Sequence, residues 1–137
     1  MLRRILSRLV ALVLVVTVSF AGLAGCSGET PTGITGKYVD DTLLVVENLT
    51  AAIELPADAP NRSEVQAEAR QQMNEYMSRY RRDSKVSGLR SFTTMQTALN
   101  ALAGYYSSFG NRPLPNKLKA RLTKEFDSVN ISVKRGI

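Results

Sequence analysis

Apolar positions in residues 37–137 recur at steps of three and four, and they sort into four separate stripes. Val39, Leu43, Val46, Leu49 and Ile53 form the first, with Asp40 and Asp41 in its opening turns, where the helix dipole favours negative charge. Pro56 ends it, and Leu55 before that proline is biased towards extended backbone. The second stripe is Val65, Ala69, Met73, Tyr76 and Tyr80; Asn61 with Glu64 three residues on predicts a capping box at its start. Turn residues from Asp83 to Gly88 interrupt the pattern. A third helix is predicted to begin near Ser91 and to carry Phe92, Met95, Leu99, Leu102 and Tyr106, with Gly110 as its left-handed terminator. Asn111-Arg112-Pro113-Leu114-Pro115 is a stiff connection, and Pro115 suits the first turn of a fourth helix striped by Leu118, Leu122, Phe126, Val129 and Val133.

No segment alternates with period two. The chain is therefore expected to be all-α: an antiparallel up-down-up-down four-helix bundle of roughly 17- to 20-residue helices over residues 37–137.

Residues 1–25 follow a different rule. Arg3, Arg4 and Arg8 precede an apolar run from Leu9 to Phe20, and small residues follow, the order of an export signal. The run is shorter than the roughly 20 residues of a comfortable membrane span. Leu23-Ala24-Gly25-Cys26 resembles a bacterial lipobox, in which the cysteine is lipidated and becomes the mature N-terminus. A plain signal peptide beside a chance cysteine is the alternative. The chain has one cysteine, and it stands where lipidation needs it. Residues 26–36 then read as a lipidated end followed by a flexible Gly/Pro-punctuated tether.

Charge and composition narrow the chemistry. The net charge of +6 includes the three leader arginines, and residues 26–137 carry 15 basic and 12 acidic side chains. Residues 26–68 hold two basic and eight acidic residues, whereas 69–137 hold thirteen basic and four acidic ones. Such asymmetry suits an acidic partner or a membrane surface. Export takes the chain away from nucleic acid. Histidine and tryptophan are absent, which removes the usual zinc, haem and di-iron ligand sets and the commonest general base. Asp40 and Asp41 are neighbours that point about 100° apart on a helix, and Glu47 with Glu54 reads as a solvated face. No calcium loop, phosphate cradle or activated nucleophile is present in the sequence. No metal, cofactor or catalytic residue is expected, and a small bundle with charged faces is expected to be a monomer.

One set of segments is more specific than a generic bundle: Tyr80-Arg81-Arg82-Asp83, the run from Gly88 to Asn100 (GLRSFTTMQTALN), and Asn111-Arg112-Pro113-Leu114-Pro115. Together with Tyr38-Val39-Asp40-Asp41-Thr42-Leu43 and the Leu55–Asn61 loop (LPADAPN), they resemble the small lipoproteins of the thylakoid lumen that assist photosystem II assembly and repair in cyanobacteria. The resemblance spans about residues 34–136. It implies a non-catalytic bundle, lipid-anchored on the luminal side of the thylakoid membrane. It implies binding to photosystem II complexes whose manganese cluster is unbuilt or lost, through the large luminal loop of a chlorophyll-binding core antenna subunit. Such a factor would keep the donor side open for manganese loading until the permanent extrinsic subunits bind.

Given that partner, the expected docking residues are Arg81, Arg82, Lys85 and Arg90 at the junction of the second and third helices, with Arg112 as a fifth candidate. The third helix, about 25–30 Å long, separates Arg112 from the others. Arg79, Arg81 and Arg82 also offset the dipole at a helix end, and Glu75 with Arg79 makes an i,i+4 pair, so Arg79 is read as structural. Arg90 opens a helix, where positive charge gains nothing from the dipole. Thr93, Thr94 and Gln96 lie between stripe positions and suit either a protein contact or water. Of Tyr105, Tyr106 and Phe109, one ring is expected in the core, and a second exposed ring would be a candidate anchor. Two other readings share the fold: a generic exported scaffold lipoprotein with another partner, and a binder of a small apolar or pigment ligand inside the bundle.

Overall fold

The computed structural model describes residues 30–137. The predicted leader and Cys26 lie outside the described residues. The described chain forms α1 (Tyr38–Glu54), α2 (Arg62–Tyr80), α3 (Arg90–Phe109) and α4 (Asn116–Lys134). None of these helices is long and apolar enough to cross a membrane.

Contacts between helix ends fix the topology. At one end the Tyr38 hydroxyl of α1 meets Ser91 Oγ of α3 at 2.8 Å, and the Tyr80 hydroxyl of α2 reaches Asp41 of α1. Ile137, just past α4, accepts from the Ser91 N–H at 3.0 Å. At the other end Lys119 Nζ of α4 pairs with Glu54 of α1 at 2.7 Å. The starts of α1 and α3 thus share an end with the finishes of α2 and α4, an up-down-up-down bundle. Sequential helices pack on one another, and α1 with α4 closes the ring.

The stripes fill the core much as their spacing predicts. Leu49, Leu99, Leu102, Leu122, Phe92, Phe126, Tyr76 and Val129 are completely or almost completely buried. Each such side chain contributes about 1.5–3 kcal/mol by leaving water. Aromatic rings gather towards the α2–α3 junction: Tyr80 lies 5.2 Å from Tyr38 and 5.0 Å from Tyr76, and Tyr76 lies 6.4 Å from Phe92. The interior is occupied by these residues, and grooves of about 530, 330 and 320 Å³ open on the outside of the helices.

Helix boundaries follow local chemistry. Leu55 is extended (φ −61, ψ 131) before Pro56, as expected. Gly110 stops α3 with φ 60 and ψ −129, a positive-φ conformation that side chains other than glycine rarely adopt. Asn61, by contrast, makes no side-chain cap: its φ of −94 and ψ of 13 are not the extended geometry that aims a cap back at the helix.

Two further expectations change. Val39 is 45% exposed, and Asp41 and Thr42 are buried in its stead. The start of α1 is rolled so that its polar residues face inward. The cause lies in the second change: residues 30–36, expected to belong to the flexible tether, are folded onto the bundle. Ile34 is fully buried, the Gln72 amide donates to the Thr32 carbonyl at 2.9 Å, and the Thr32 hydroxyl donates to Glu75. The Asp41 carboxylate takes four donors: the N–H and hydroxyl of Thr35 at 2.8 and 2.9 Å, the N–H of Gly36 at 2.8 Å and the hydroxyl of Tyr80 at 2.5 Å. A polar, Gly-rich segment is thereby held by side-chain hydrogen bonds rather than by an apolar stripe.

Candidate basic docking face

The end of the bundle that carries the α2–α3 junction is strongly basic. Lys37, Arg79, Arg81, Arg82, Lys85, Arg90, Lys134 and Arg135 gather there, against Asp40, Asp41 and Asp83. Antiparallel packing brings this about, because it puts the cationic end of α2, the start of α3 and the end of α4 side by side. α1 carries four carboxylates and no cation, and Arg90 is the single charged residue of α3.

The junction presents its cations on a fixed loop. Asp83 organises the turn: its carboxylate accepts from the Lys85 N–H at 2.9 Å, and its carbonyl accepts from Val86 and Ser87 at 3.1 and 2.8 Å. Val86 is buried and plugs the loop into the core, so Lys85 and Arg90 point to water. Arg81 and Arg82 flank a groove of about 320 Å³ with half-buried Met77 beside them. None of Arg81, Arg82, Lys85 and Arg90 has an ion-pair partner among the described residues. Their charges remain available to a partner.

Arg79 behaves differently from its neighbours. It pairs with Glu75 at 3.9 Å, as the i,i+4 spacing predicts, and its guanidinium lies against Gly36. Arg112 is exposed at the opposite end, beside Asn111, whose carbonyl accepts from Arg62 Nε at 2.9 Å. Tyr106 is the core ring of the α3 aromatics, Tyr105 is half-buried with its hydroxyl on the Pro113 carbonyl, and Phe109 is exposed at that same far end. Thr93 faces water, whereas Thr94 and Gln96 are half-buried. The structure therefore unites Arg81, Arg82, Lys85 and Arg90 and leaves Arg112 and Phe109 about 30 Å away, the length of α3.

The groups beneath this face hold it rigid. Burial acts to raise the Asp41 carboxyl, but hydrogen bonds from the Thr35 backbone, the Tyr80 hydroxyl, the Gly36 backbone and the Thr35 hydroxyl outweigh it, so Asp41 stays below the usual carboxylate range. Burial and the adjoining carboxylate push Tyr80 upward, which keeps its phenol a donor. Thr42 donates to the Tyr38 carbonyl at 2.6 Å, so the Tyr76 hydroxyl donates to Thr42 at 2.8 Å.

Arg62 and Arg70 act at the other end and were not singled out by spacing or motif. Buried Arg62 gives Nη1 to the carbonyls of Leu55 and Pro56 at 3.1 and 2.9 Å and Nε to that of Asn111, tying two loops together. Arg70 donates to the Tyr106 carbonyl at 2.7 Å and lies 5.4 Å from the centre of its ring. One hint existed in the sequence: Arg62 stands in a first helical turn, where the dipole disfavours a cation unless carbonyls receive it.

Known proteins share this chain's sequence and fold. The family model described as Photosystem II Pbs27 matches residues 2–131. The Photosystem II lipoprotein Psb27 of Synechocystis sp. is 57% identical over 136 residues, which cover 99% of this chain and 98% of that one. The Photosystem II assembly factor lipoprotein Psb27 of Thermosynechococcus vestitus is 47% identical over 130 residues, 95% of this chain and 97% of that one. A solution structure of Psb27 from cyanobacterial photosystem II superposes with a TM-score of 0.75 at 57% identity, covering 85% of this chain and 99% of that one.

Proposed function

This chain belongs to the Psb27 family, and from that premise we propose that it is a non-catalytic assembly and repair factor of photosystem II, anchored through Cys26 on the luminal side of the thylakoid membrane. It binds photosystem II whose manganese cluster is absent and leaves when the permanent extrinsic subunits take their places. Its contact is the large luminal loop of a chlorophyll-binding core antenna subunit. Identity of 57% along nearly the whole chain favours this reading over a generic exported scaffold, which needs only a leader and a bundle.

The observation that carries the docking surface is the set of four unpaired cations, Arg81, Arg82, Lys85 and Arg90, on a loop that Val86 and Asp83 hold in one shape. Unpaired surface cations speed encounter with an acidic loop and fix its register. A loop already ordered does not lose conformational freedom on binding. The work of such a factor is occupancy: it covers a luminal surface at one stage and yields it at the next.

The test is native-gel separation of gently solubilised membranes with immunodetection of this chain. Co-migration with photosystem II complexes lacking the manganese cluster, and absence from intact oxygen-evolving ones, is the expected result. Detection only as free protein, or in complexes without photosystem II, would overturn the reading.

A further inference from the structure

A second groove, of about 330 Å³, opens at the same basic end, between Arg90 at the start of α3 and Lys124, Asp127, Ile131 and Arg135 along the last turns of α4, with Ile137 beside them. Ile131 is 53% exposed and Ile137 47%, two of the four most exposed large apolar residues among the described residues, and both line this groove. Single exposed aliphatic residues are ordinary on a surface, but a pair converging in a concave site is a seat for an apolar group. Arg90, Lys124 and Arg135 have no ion-pair partner among the described residues, and Asp127 is the one acidic side chain lining the groove.

The groove is preformed. The Ile137 N–H donates to the Ser132 carbonyl at 3.1 Å, and the Ile137 carbonyl accepts from Ser91 at 3.0 Å. The chain after α4 is therefore stapled to the start of α3. Arg90 belongs both to this groove and to the junction face, so the two surfaces are continuous.

We propose that the groove receives an acidic peptide segment of the docking partner, seating one aliphatic side chain between Ile131 and Ile137 and the flanking carboxylates on Arg90, Lys124 and Arg135. The inference rests on the reading that the protein docks on photosystem II, and it adds an apolar anchor that the junction face lacks. A peptide fits better than a lipid surface, because the isoleucines line a recess and do not protrude as a membrane-inserting residue must. In such an arrangement the cations steer and orient the segment, and the buried aliphatic residue slows its release.

The experiment measures binding of the full chain in mild detergent to manganese-depleted photosystem II cores. Ile131→Glu and Arg135→Glu are each expected to weaken binding about tenfold, and Ile131→Leu to leave it within about twofold. Both side chains face water, so thermal unfolding should be unchanged and separates lost docking from lost folding. If both groove variants bind normally while Arg81→Glu with Arg82→Glu binds poorly, the groove inference falls and the docking reading stands. If the unaltered chain does not bind the cores, the docking reading itself fails. If Ile131→Glu abolishes binding to anionic-lipid vesicles but not to the cores, the groove is a membrane contact and the inference is overturned.

Discussion

The Tyr80 hydroxyl donates to the Asp41 carboxylate at 2.5 Å, joining the last turn of α2 to the first turn of α1. The same carboxylate receives both backbone N–H groups of Thr35 and Gly36, so one buried side chain holds three pieces of chain together. Replacing it should show in folding. Asp41→Asn removes the charge and turns an amide NH2 towards donors. We expect it to destabilise the bundle by about 2–3 kcal/mol, read from urea unfolding followed by far-UV circular dichroism. A loss under about 0.5 kcal/mol would show that the cluster is not a stabilising hub.

The same residue sets an acid limb. Hydrogen bonds from Thr35, Gly36 and Tyr80 hold its folded carboxyl below the ordinary aspartate value, so the folded state holds the charged form more strongly than the unfolded chain does. The stability it contributes is fully present above about pH 4 and is lost as pH falls through its lower folded value. Urea midpoints measured from pH 6 down to pH 2.5 should fall below about pH 4, and the fall should be shallower in Asp41→Asn. Identical acid limbs in the two proteins would assign the effect to other carboxylates.

Much of the bundle was legible in its spacing. The α3 stripe is buried at every position, from Phe92 to Tyr106, and α4 departs only at half-buried Leu118. These helices meet their neighbours through ordinary apolar faces, so periodicity is the whole signal. The start of α1 was not legible. Asp41 reads as a first-turn acid that favours the dipole, yet it points inward because Thr35, Gly36 and Tyr80 supply donors from 6, 5 and 39 residues away. Composition likewise makes residues 30–36 look like linker, since Ile34 is their one large apolar side chain. The clustering of Arg81, Arg82, Lys85 and Arg90 at one junction could be read from the sequence, whereas the groove at Ile131 and Ile137 depends on how α4's end lies against α3's start.

Arg62 should be intolerant of change. Its guanidinium serves three backbone carbonyls from two loops, and truncation leaves all three without that donor. Arg62→Met is expected to lower stability by about 2–3 kcal/mol and the Tm by roughly 10 °C. Arg62→Lys should recover only part, because an ammonium cannot reproduce a fork that spans three acceptors. Full recovery with lysine, seen by differential scanning calorimetry, would reduce the role of Arg62 to charge alone.

Gly36 is held at φ 95, and a Cβ there would lie 2.9 Å from Arg79 Nη1. The arginine tip can swing aside, so the larger cost is the backbone conformation, about 1–2 kcal/mol for a residue with a side chain. Gly36→Ala should therefore loosen residues 30–36 before it unfolds the helices. Hydrogen exchange of the Thr35 and Ile34 amides is the readout, with faster exchange expected there and little change in α3 and α4. Unchanged exchange at both amides would show that the Gly36 conformation does not hold residues 30–36 in place.

Docking should respond to charge without a change in fold. Arg82→Glu with Arg90→Glu places two carboxylates on a face whose acidic side chains, among the described residues, are exposed Asp40, half-buried Asp83 and buried Asp41. Binding to manganese-depleted photosystem II should weaken at least about tenfold, while the melting curve stays within about 2 °C of the unaltered chain. Normal binding by this variant would move the contact to another face.

The folded residues 30–36 alter what a membrane anchor at Cys26 can do. Eleven residue steps separate Cys26 from Lys37, but four separate it from Thr30, whose hydroxyl bonds to Ile34 in the segment that Gln72 holds against α2. Four steps span at most about 14 Å, against about 40 Å for eleven. A lipid at Cys26, as proposed, would therefore hold the folded residues within about 14 Å of the membrane surface. Because Thr32 is fixed to Gln72 midway along α2, the mooring point sits on the flank of the bundle and not at its tip. Under that proposal the α1–α2 side would be turned towards the lipid and the α3–α4 side with its groove outward, so the anchor would restrict bearing as well as distance.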